Sequence, residues 1–132
     1  MNKRLIFIVI AVGALVLASL ACSASTANIS SAILTADGPG GTETTTFTPD
    51  QASFYCIVAL ANAPDDTKVK AVWYTVDDVG TATQIVDSEI VGSASPITFK
   101  ATNDGLWPVG KYKVEVYMND KLDRTLEFTV QE

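Results

Sequence analysis

Few side chains in this 132-residue chain have the chemistry of a nucleophile, a base or a metal ligand. The sequence contains two cysteines, Cys22 and Cys56, and no histidine. A serine or cysteine nucleophile needs a neighbouring base and an orienting group, and histidine is the commonest base. No serine lies in an S-x-x-K motif or a nucleophile elbow. We therefore expect no catalytic residue and no enzymatic activity, and Cys22 is the residue whose surroundings specify its chemistry.

Cys22 follows a leader with the three parts of a secretory signal peptide. Lys3 and Arg4 give a basic start, and the stretch from Leu5 to Ala21 is almost wholly apolar and ends in small residues. Its 17 residues are fewer than the roughly 20 that span a bilayer. No basic stop-transfer cluster follows, because the next positive charge is Lys68. The pattern predicts export.

The end of this leader, Ser19-Leu20-Ala21-Cys22, resembles the lipobox of bacterial lipoproteins. The resemblance implies cleavage between Ala21 and Cys22 and a diacylglyceryl group on the Cys22 sulfur. Most lipoboxes have leucine three residues before the cysteine, where this chain has Ser19, so the match is to the permissive form of the motif. The alternatives are an ordinary signal peptide cut nearby and an uncleaved N-terminal helix.

Lipidation would give the exported protein its only membrane attachment. One acyl chain binds a bilayer marginally, whereas two hold a protein stably. The chain has a formal net charge of −6, and removal of residues 1–21, which contain Lys3 and Arg4, leaves −8. Such a charge repels nucleic acid and anionic headgroups. We therefore expect no nucleic-acid partner and a location on the extracytoplasmic side of a membrane, held through lipid on Cys22.

After the signal peptide, residues 22–28 form a small polar tether and residues 29–132 form one domain of short alternating segments. Turn signals recur at intervals of roughly 8–12 residues, as in a β-sandwich. The predicted fold is all-β. Eight segments are candidate strands: Ile29–Thr35, Thr42–Phe47, Phe54–Leu60, Lys68–Val76, Gln84–Val91, Ile97–Thr102, Lys111–Met118 and Leu122–Val130.

Alternation within these strands predicts which side chains form the core. The last two strands give the strongest hairpin signal, because Asn119-Asp120 between them accepts positive φ. The predicted inward residues are Phe54, Cys56, Val58 and Leu60; Val69, Ala71 and Trp73; Tyr112, Val114, Val116 and Met118; and Leu122, Leu126, Phe128 and Val130.

Several of these residues resemble those of immunoglobulin-like domains over about 80 residues. Cys56 and Trp73 are placed like the first cysteine and core tryptophan of that family, and Tyr112 like its tyrosine corner. The family's second cysteine position holds Val114. The resemblance implies an immunoglobulin-like sandwich of seven to eight antiparallel strands without the inter-sheet disulfide. Cys56 is then a small buried apolar residue.

A candidate binding face lies on the predicted strands that contain Tyr74 and Tyr117. Both tyrosines face away from the core, with Val72 and Thr125 nearby. Tyrosine supplies large, rigid contact area to proteins or sugars. The alternative is a cross-strand aromatic pair that only stabilises the sheet. The leading functional prediction is a non-catalytic binding or structural module with a protein or glycan partner.

Acidic loops provide the alternative. Asp65, Asp66 and Asp120 are expected at one end of the sandwich, where oxygen-rich loops bind Ca²⁺. This interpretation predicts a calcium-dependent adhesion or carbohydrate-binding module, whereas solvated turn carboxylates need no metal. An accessory subunit of an exported assembly is a third possibility. Apart from this calcium, the sequence indicates no cofactor.

Overall fold

The computed structural model describes residues 27–132, which fold into eight β strands without a helix. The predicted signal peptide, cleavage site and lipidation site at Cys22 lie outside the described residues. In the described range there is accordingly no apolar helix long enough to cross a membrane. The strands are β1 (Asn28–Thr35), β2 (Thr46–Phe47), β3 (Ser53–Ala61), β4 (Lys68–Val76), β5 (Ala82–Val91), β6 (Ile97–Thr102), β7 (Gly110–Met118) and β8 (Lys121–Val130).

The strands form two sheets, with the orders β1-β3-β6 and β2-β8-β7-β4-β5. The all-β prediction is confirmed, but the expectation that all strands are antiparallel is wrong, because β2 runs parallel to β8. Only Thr46 and Phe47 of the predicted second strand form a ladder. The Phe47 side chain is 3% exposed and packs against Phe54 and Phe128. Burial of this ring therefore fixes β2 beside β8 more than its short ladder does.

The core between the sheets is centred on the ring of Phe54, which is fully buried. Removing one such ring typically costs 3–5 kcal/mol, because a large cavity is left. Trp73, Tyr112 and Phe128 lie in this core as predicted. Ring centroids lie 4.2–6.4 Å from that of Phe54 for five other aromatic residues: Phe47, Trp73, Trp107, Tyr112 and Phe128.

The tyrosine corner is present at the start of β7. The hydroxyl of Tyr112 donates a hydrogen bond of 2.6 Å to the carbonyl oxygen of Pro108, and the residue is 2% exposed. Burial raises the pKa of this phenol. Beside it, the indole N–H of Trp107 donates to the carbonyl oxygen of Gln51 at 2.6 Å. These two bonds fix the connection between β6 and β7 on the core.

The β7–β8 hairpin departs from the predicted pattern at one position. Its turn residues Asn119 and Asp120 have φ values of 50° and 67°, as expected. A bulge shifts the register, so that Leu122 lies opposite Tyr117 and is 51% exposed. The prediction that Leu122 faces the core is therefore wrong. Arg124 lies opposite Val116 instead, and its Nη2 donates to the carbonyl oxygen of Ile29 at 2.9 Å.

Candidate functional site

The outer face of the five-stranded sheet presents both predicted tyrosines. Tyr74 on β4 lies opposite Lys113 on β7, and Tyr117 on β7 lies opposite Lys70 on β4. Lys113 and Tyr117 are four residues apart on β7, so the two tyrosines lie on the same face with Glu115 between them. Neither ring belongs to the core cluster, so both are on the side of the sheet that faces away from the other sheet.

A carboxylate between the tyrosines links them. Glu115 accepts a hydrogen bond from the Tyr117 hydroxyl at 3.1 Å, and the same carboxylate interacts electrostatically with the Tyr74 hydroxyl. The ammonium of Lys113 lies 3.4 Å from the same carboxylate and 5.0 Å from the centre of the Tyr74 ring. Lys70 lies 5.1 Å above the centre of the Tyr117 ring. We call Lys70, Tyr74, Lys113, Glu115 and Tyr117 the outer cluster.

Electrostatics keep this cluster in one protonation state near neutral pH. Partial burial acts to raise the pKa of Glu115, but the hydrogen bonds from Tyr117 and Tyr74 and the charge of Lys113 outweigh it and lower that pKa. Desolvation, followed by the interactions with Glu115, raises the pKa of Tyr74 to about 12 and also raises that of Tyr117. The carboxylate therefore stays ionised while both phenols stay neutral, so the hydrogen bonds persist.

The other two predicted face residues have different roles. Val72 lies opposite Glu115 and is only 5% exposed, although it is not part of the core cluster. It is therefore covered by its neighbours on the outer face and offers a partner almost no surface. Thr125 on β8 lies opposite Glu115 on its other side and is exposed. The face thus consists of the outer cluster with Thr125 at its margin.

Three members of the cluster are absent from the sequence prediction. Lys113 and Glu115 alternate with core residues along β7, in step with Tyr117. Lys70 has the same relation to Tyr74 on β4. Alternation therefore predicts that Lys70, Lys113 and Glu115 lie on the outer face. It does not predict which charged side chains contact the tyrosine rings.

A groove of about 720 Å³ adjoins the cluster and shares Lys113 with it. The β4–β5 turn forms one wall, where the Asp77 carboxylate accepts hydrogen bonds from the backbone N–H groups of Val79 and Thr81 at 3.1 and 2.7 Å. The other lining residues come from β2, β7, β8 and the segment before β2, and the polar ones are Thr45, Thr46, Lys111, Lys113, Glu127 and Thr129. The groove therefore offers hydroxyls, ammonium groups and carboxylates to a polar ligand.

The acidic residues of the calcium hypothesis lie in neighbouring loops with other partners. The backbone of Lys68 exchanges hydrogen bonds with Asn119, which joins the two loops. Asp120 pairs with the Lys68 ammonium at 3.3 Å, and Asp65 accepts a hydrogen bond from the Ser93 hydroxyl at 2.9 Å. Asp66 precedes the buried Thr67. Within residues 27–132, no three side chains of the metal-binding types Asp, Glu, Cys and His come together.

Cys56 is a free cysteine with no exposed surface. Burial raises the pKa of its thiol to about 12, against a smaller opposing effect from the charge of Arg124. A thiol that stays protonated is neither a nucleophile nor a metal ligand at neutral pH. Val114, at the second cysteine position of the resemblance, is also fully buried.

No protein-family model matches the chain, and no curated protein is similar to it in sequence. Among solved structures, an immunoglobulin-like protein from Pseudomonas aeruginosa is 16% identical with a TM-score of 0.51, covering 81% of this chain and 98% of that chain.

Two further solved structures resemble the chain less closely. The alkylpurine DNA glycosylase AlkC of Pseudomonas fluorescens is 14% identical, with a TM-score of 0.49 over 81% of this chain and 31% of that chain. A superoxide reductase from Ignicoccus hospitalis is 15% identical, with a TM-score of 0.44 over 80% of each chain. The similarity to the Pseudomonas aeruginosa protein shows the fold alone: this chain forms an immunoglobulin-like β-sandwich.

Proposed function

We propose that this chain is a non-catalytic binding module, attached to a membrane outside the cytoplasm through lipid on Cys22, that contacts a protein or glycan partner with the outer cluster and its groove. The fold agrees with a binding module, because one solved neighbour is described as an immunoglobulin-like protein. The buried, protonated thiol of Cys56 and the absence of histidine agree with it.

The sharing of Glu115 by two tyrosines is the observation that carries the binding proposal. Binding normally costs about 0.5–1.5 kcal/mol for each long side chain that must be immobilised. Here the Tyr117 hydroxyl is already held by Glu115, the Tyr74 hydroxyl interacts with the same carboxylate, and a lysine lies over each ring. The rings are therefore oriented before a partner binds, and less side-chain conformational entropy is lost on binding.

The groove indicates what kind of partner suits the face. Its threonine hydroxyls, lysine ammonium groups and Glu127 carboxylate can exchange hydrogen bonds with a sugar or with a polar protein loop. The Tyr117 hydroxyl donates to Glu115, so this tyrosine offers ring surface to a partner. Ring contacts next to a polar groove are a common arrangement for recognising ligands with both apolar and polar faces.

The membrane attachment rests on the leader and on the position of the first strand. β1 begins at Asn28, six residues after Cys22. Six extended residues span about 20 Å, so an anchored domain would stay close to the bilayer. In this proposal, mature protein carries the lipid mass and sediments with membranes, and Cys22→Ala releases it. A Cys22→Ala protein that stays in the membrane fraction with the wild-type mass contradicts the anchor.

The binding proposal is tested by presenting the protein to a glycan array and to envelope extracts of its source cells. We expect the double variant Tyr74→Ala/Tyr117→Ala to lose the captured ligand, because it removes both rings. The matched control is Thr98→Ala/Lys100→Ala, which truncates two exposed residues on the outer side of β6 in the other sheet. Unchanged capture by the tyrosine variant, or equal loss in the control, contradicts the proposed face.

A further inference from the structure

Strand β5 is an uncovered edge of the five-stranded sheet. Nine of its ten residues pair with β4, a bulge leaves out Ile85, and it has no strand on its other side in the described part of the chain. All of its residues except Ala82 are exposed. An edge strand offers a row of unpaired backbone N–H and C=O groups to any extended segment that can lie beside it.

Two apolar residues on the core-facing side of β5 lack a cover. Opposite residues of an antiparallel pair point to the same side of a sheet, and Val86 and Ile90 lie opposite the buried Trp73 and Val69. Yet Val86 is 39% and Ile90 is 37% exposed, whereas both partners are at most 1% exposed. The three-stranded sheet therefore covers its partner only as far as β4, and the chain passes from β5 to β6 through residues 92–96 without a further strand.

The outer side of β5 is acidic. Asp87 and Glu89 lie opposite Val72 and Lys70, and both are exposed. Neither carboxylate forms an ion pair within residues 27–132, since Lys70 lies over the ring of Tyr117 instead. β5 thus presents Val86 and Ile90, with Ser88 between them, on one side and the unneutralised Asp87 and Glu89 on the other.

We propose that the free edge of β5 binds an extended segment of a partner protein in which apolar residues alternate with lysine or arginine. The segment adds a sixth strand to the sheet. Its apolar side chains lie beside Val86 and Ile90, and its basic side chains lie beside Asp87 and Glu89. Main-chain hydrogen bonds supply affinity in this mode, and the alternating side chains supply specificity.

Charge argues against a second copy of this chain as the occupant. Antiparallel pairing of β5 with itself would bring Asp87 and Glu89 of both copies close to the symmetry axis. The chain also carries a formal net charge of −6. Like charges near each other on neighbouring strands destabilise their pairing, so the two carboxylates exclude self-association while they attract a basic segment.

The test uses the whole chain in a neutral detergent and a synthetic peptide of alternating valine and lysine, equal in length to β5. We expect calorimetry to detect binding and hydrogen exchange to slow in Ala82–Val91 when the peptide is present. A scrambled peptide of the same composition should bind at least about tenfold more weakly, because its basic and apolar side chains no longer fall on opposite sides. Equal affinity for both peptides overturns the proposal.

Charge variants locate the contact. Asp87→Lys/Glu89→Lys should weaken binding at least about tenfold, and Asp87→Asn/Glu89→Gln should give an intermediate loss. The control Asp104→Lys/Glu132→Lys changes the net charge equally at exposed positions away from β5, and we expect its affinity to match the wild type. An equal loss in the control, protection outside β5, or self-association of the peptide-free chain through β5 overturns the proposal. Unchanged circular dichroism and melting temperature exclude misfolding as the cause.

Discussion

The hydroxyl of Tyr117 donates a hydrogen bond of 3.1 Å to the carboxylate of Glu115, two residues earlier on the same strand. Side chains two residues apart on a strand share a face, so this hydrogen bond runs along the outer face of the sheet. Because Tyr74 of the neighbouring strand also interacts with this carboxylate, one acidic residue lies between two aromatic rings. The face therefore depends on the charge state of Glu115.

Glu115 should make stability depend on pH. Its pKa is lowered in the folded protein, so its contribution is present above the unfolded value of 4.5 and is lost as the pH falls through the folded value. We expect Glu115→Gln to lower the free energy of unfolding by about 1 kcal/mol at pH 7, with the difference from wild type shrinking below pH 4.5. Urea unfolding at several pH values measures this, and a pH-independent difference contradicts it.

Tyr112→Phe should destabilise the domain without changing its fold. The variant removes the 2.6 Å hydrogen bond to the carbonyl oxygen of Pro108, and losing such a bond costs about 0.5–1.5 kcal/mol. Tyr117→Phe is the matched control, because its hydroxyl lies on the outer face and it should cost less. Chemical denaturation gives both values. A Tyr112→Phe protein as stable as the wild type would show that the tyrosine corner contributes nothing.

The sequence was sufficient to predict these core positions but not the local irregularities. Alternation in β7 identifies Tyr112 and Val114 as inward residues, since the period of a strand is fixed by its backbone. It fails at Leu122, because a bulge inserts a residue that leaves no signature in the pattern. The wrong prediction for this residue therefore comes from the assumption of an unbroken ladder.

Alternation also predicts only part of the candidate site. Tyr74 and Tyr117 were predictable from alternation, whereas the burial of Val72 depends on neighbouring side chains that lean over it. Similarly, the sequence identifies β5 as a strand. Whether the other sheet reaches far enough to cover its apolar side depends on the number of strands in that sheet, which is a property of the whole fold.

Cys56 should be unreactive in the folded protein. Its pKa is raised to about 12 by burial, so the thiolate that reacts with alkylating agents is scarce near neutral pH. In a Cys22→Ala background, which leaves Cys56 as the only thiol in the chain, we expect negligible modification until urea unfolds the domain. Mass spectrometry after a timed exposure to iodoacetamide measures the modified fraction. Rapid modification without denaturant would contradict the burial of this residue.

Calcium should not change the melting temperature. Asp120 is paired with Lys68, and Asp65 accepts a hydrogen bond from Ser93, so an ion would compete with both contacts. Thermal unfolding with excess Ca²⁺ and with a chelator should give the same midpoint. A rise with Ca²⁺ that Asp65→Asn/Asp66→Asn abolishes would instead support the calcium-dependent module.

Photo-crosslinking in the source cells tests the central claim most directly. A benzophenone amino acid at Thr125, exposed and opposite Glu115, places the reactive group at the margin of the outer cluster. The same amino acid at Thr98 on β6 places it on the other sheet. We predict a discrete adduct from position 125, absent from position 98 and lost when Tyr74→Ala/Tyr117→Ala is added. No adduct from position 125, or equal adducts from both positions, would contradict the assignment of the outer cluster as the binding face.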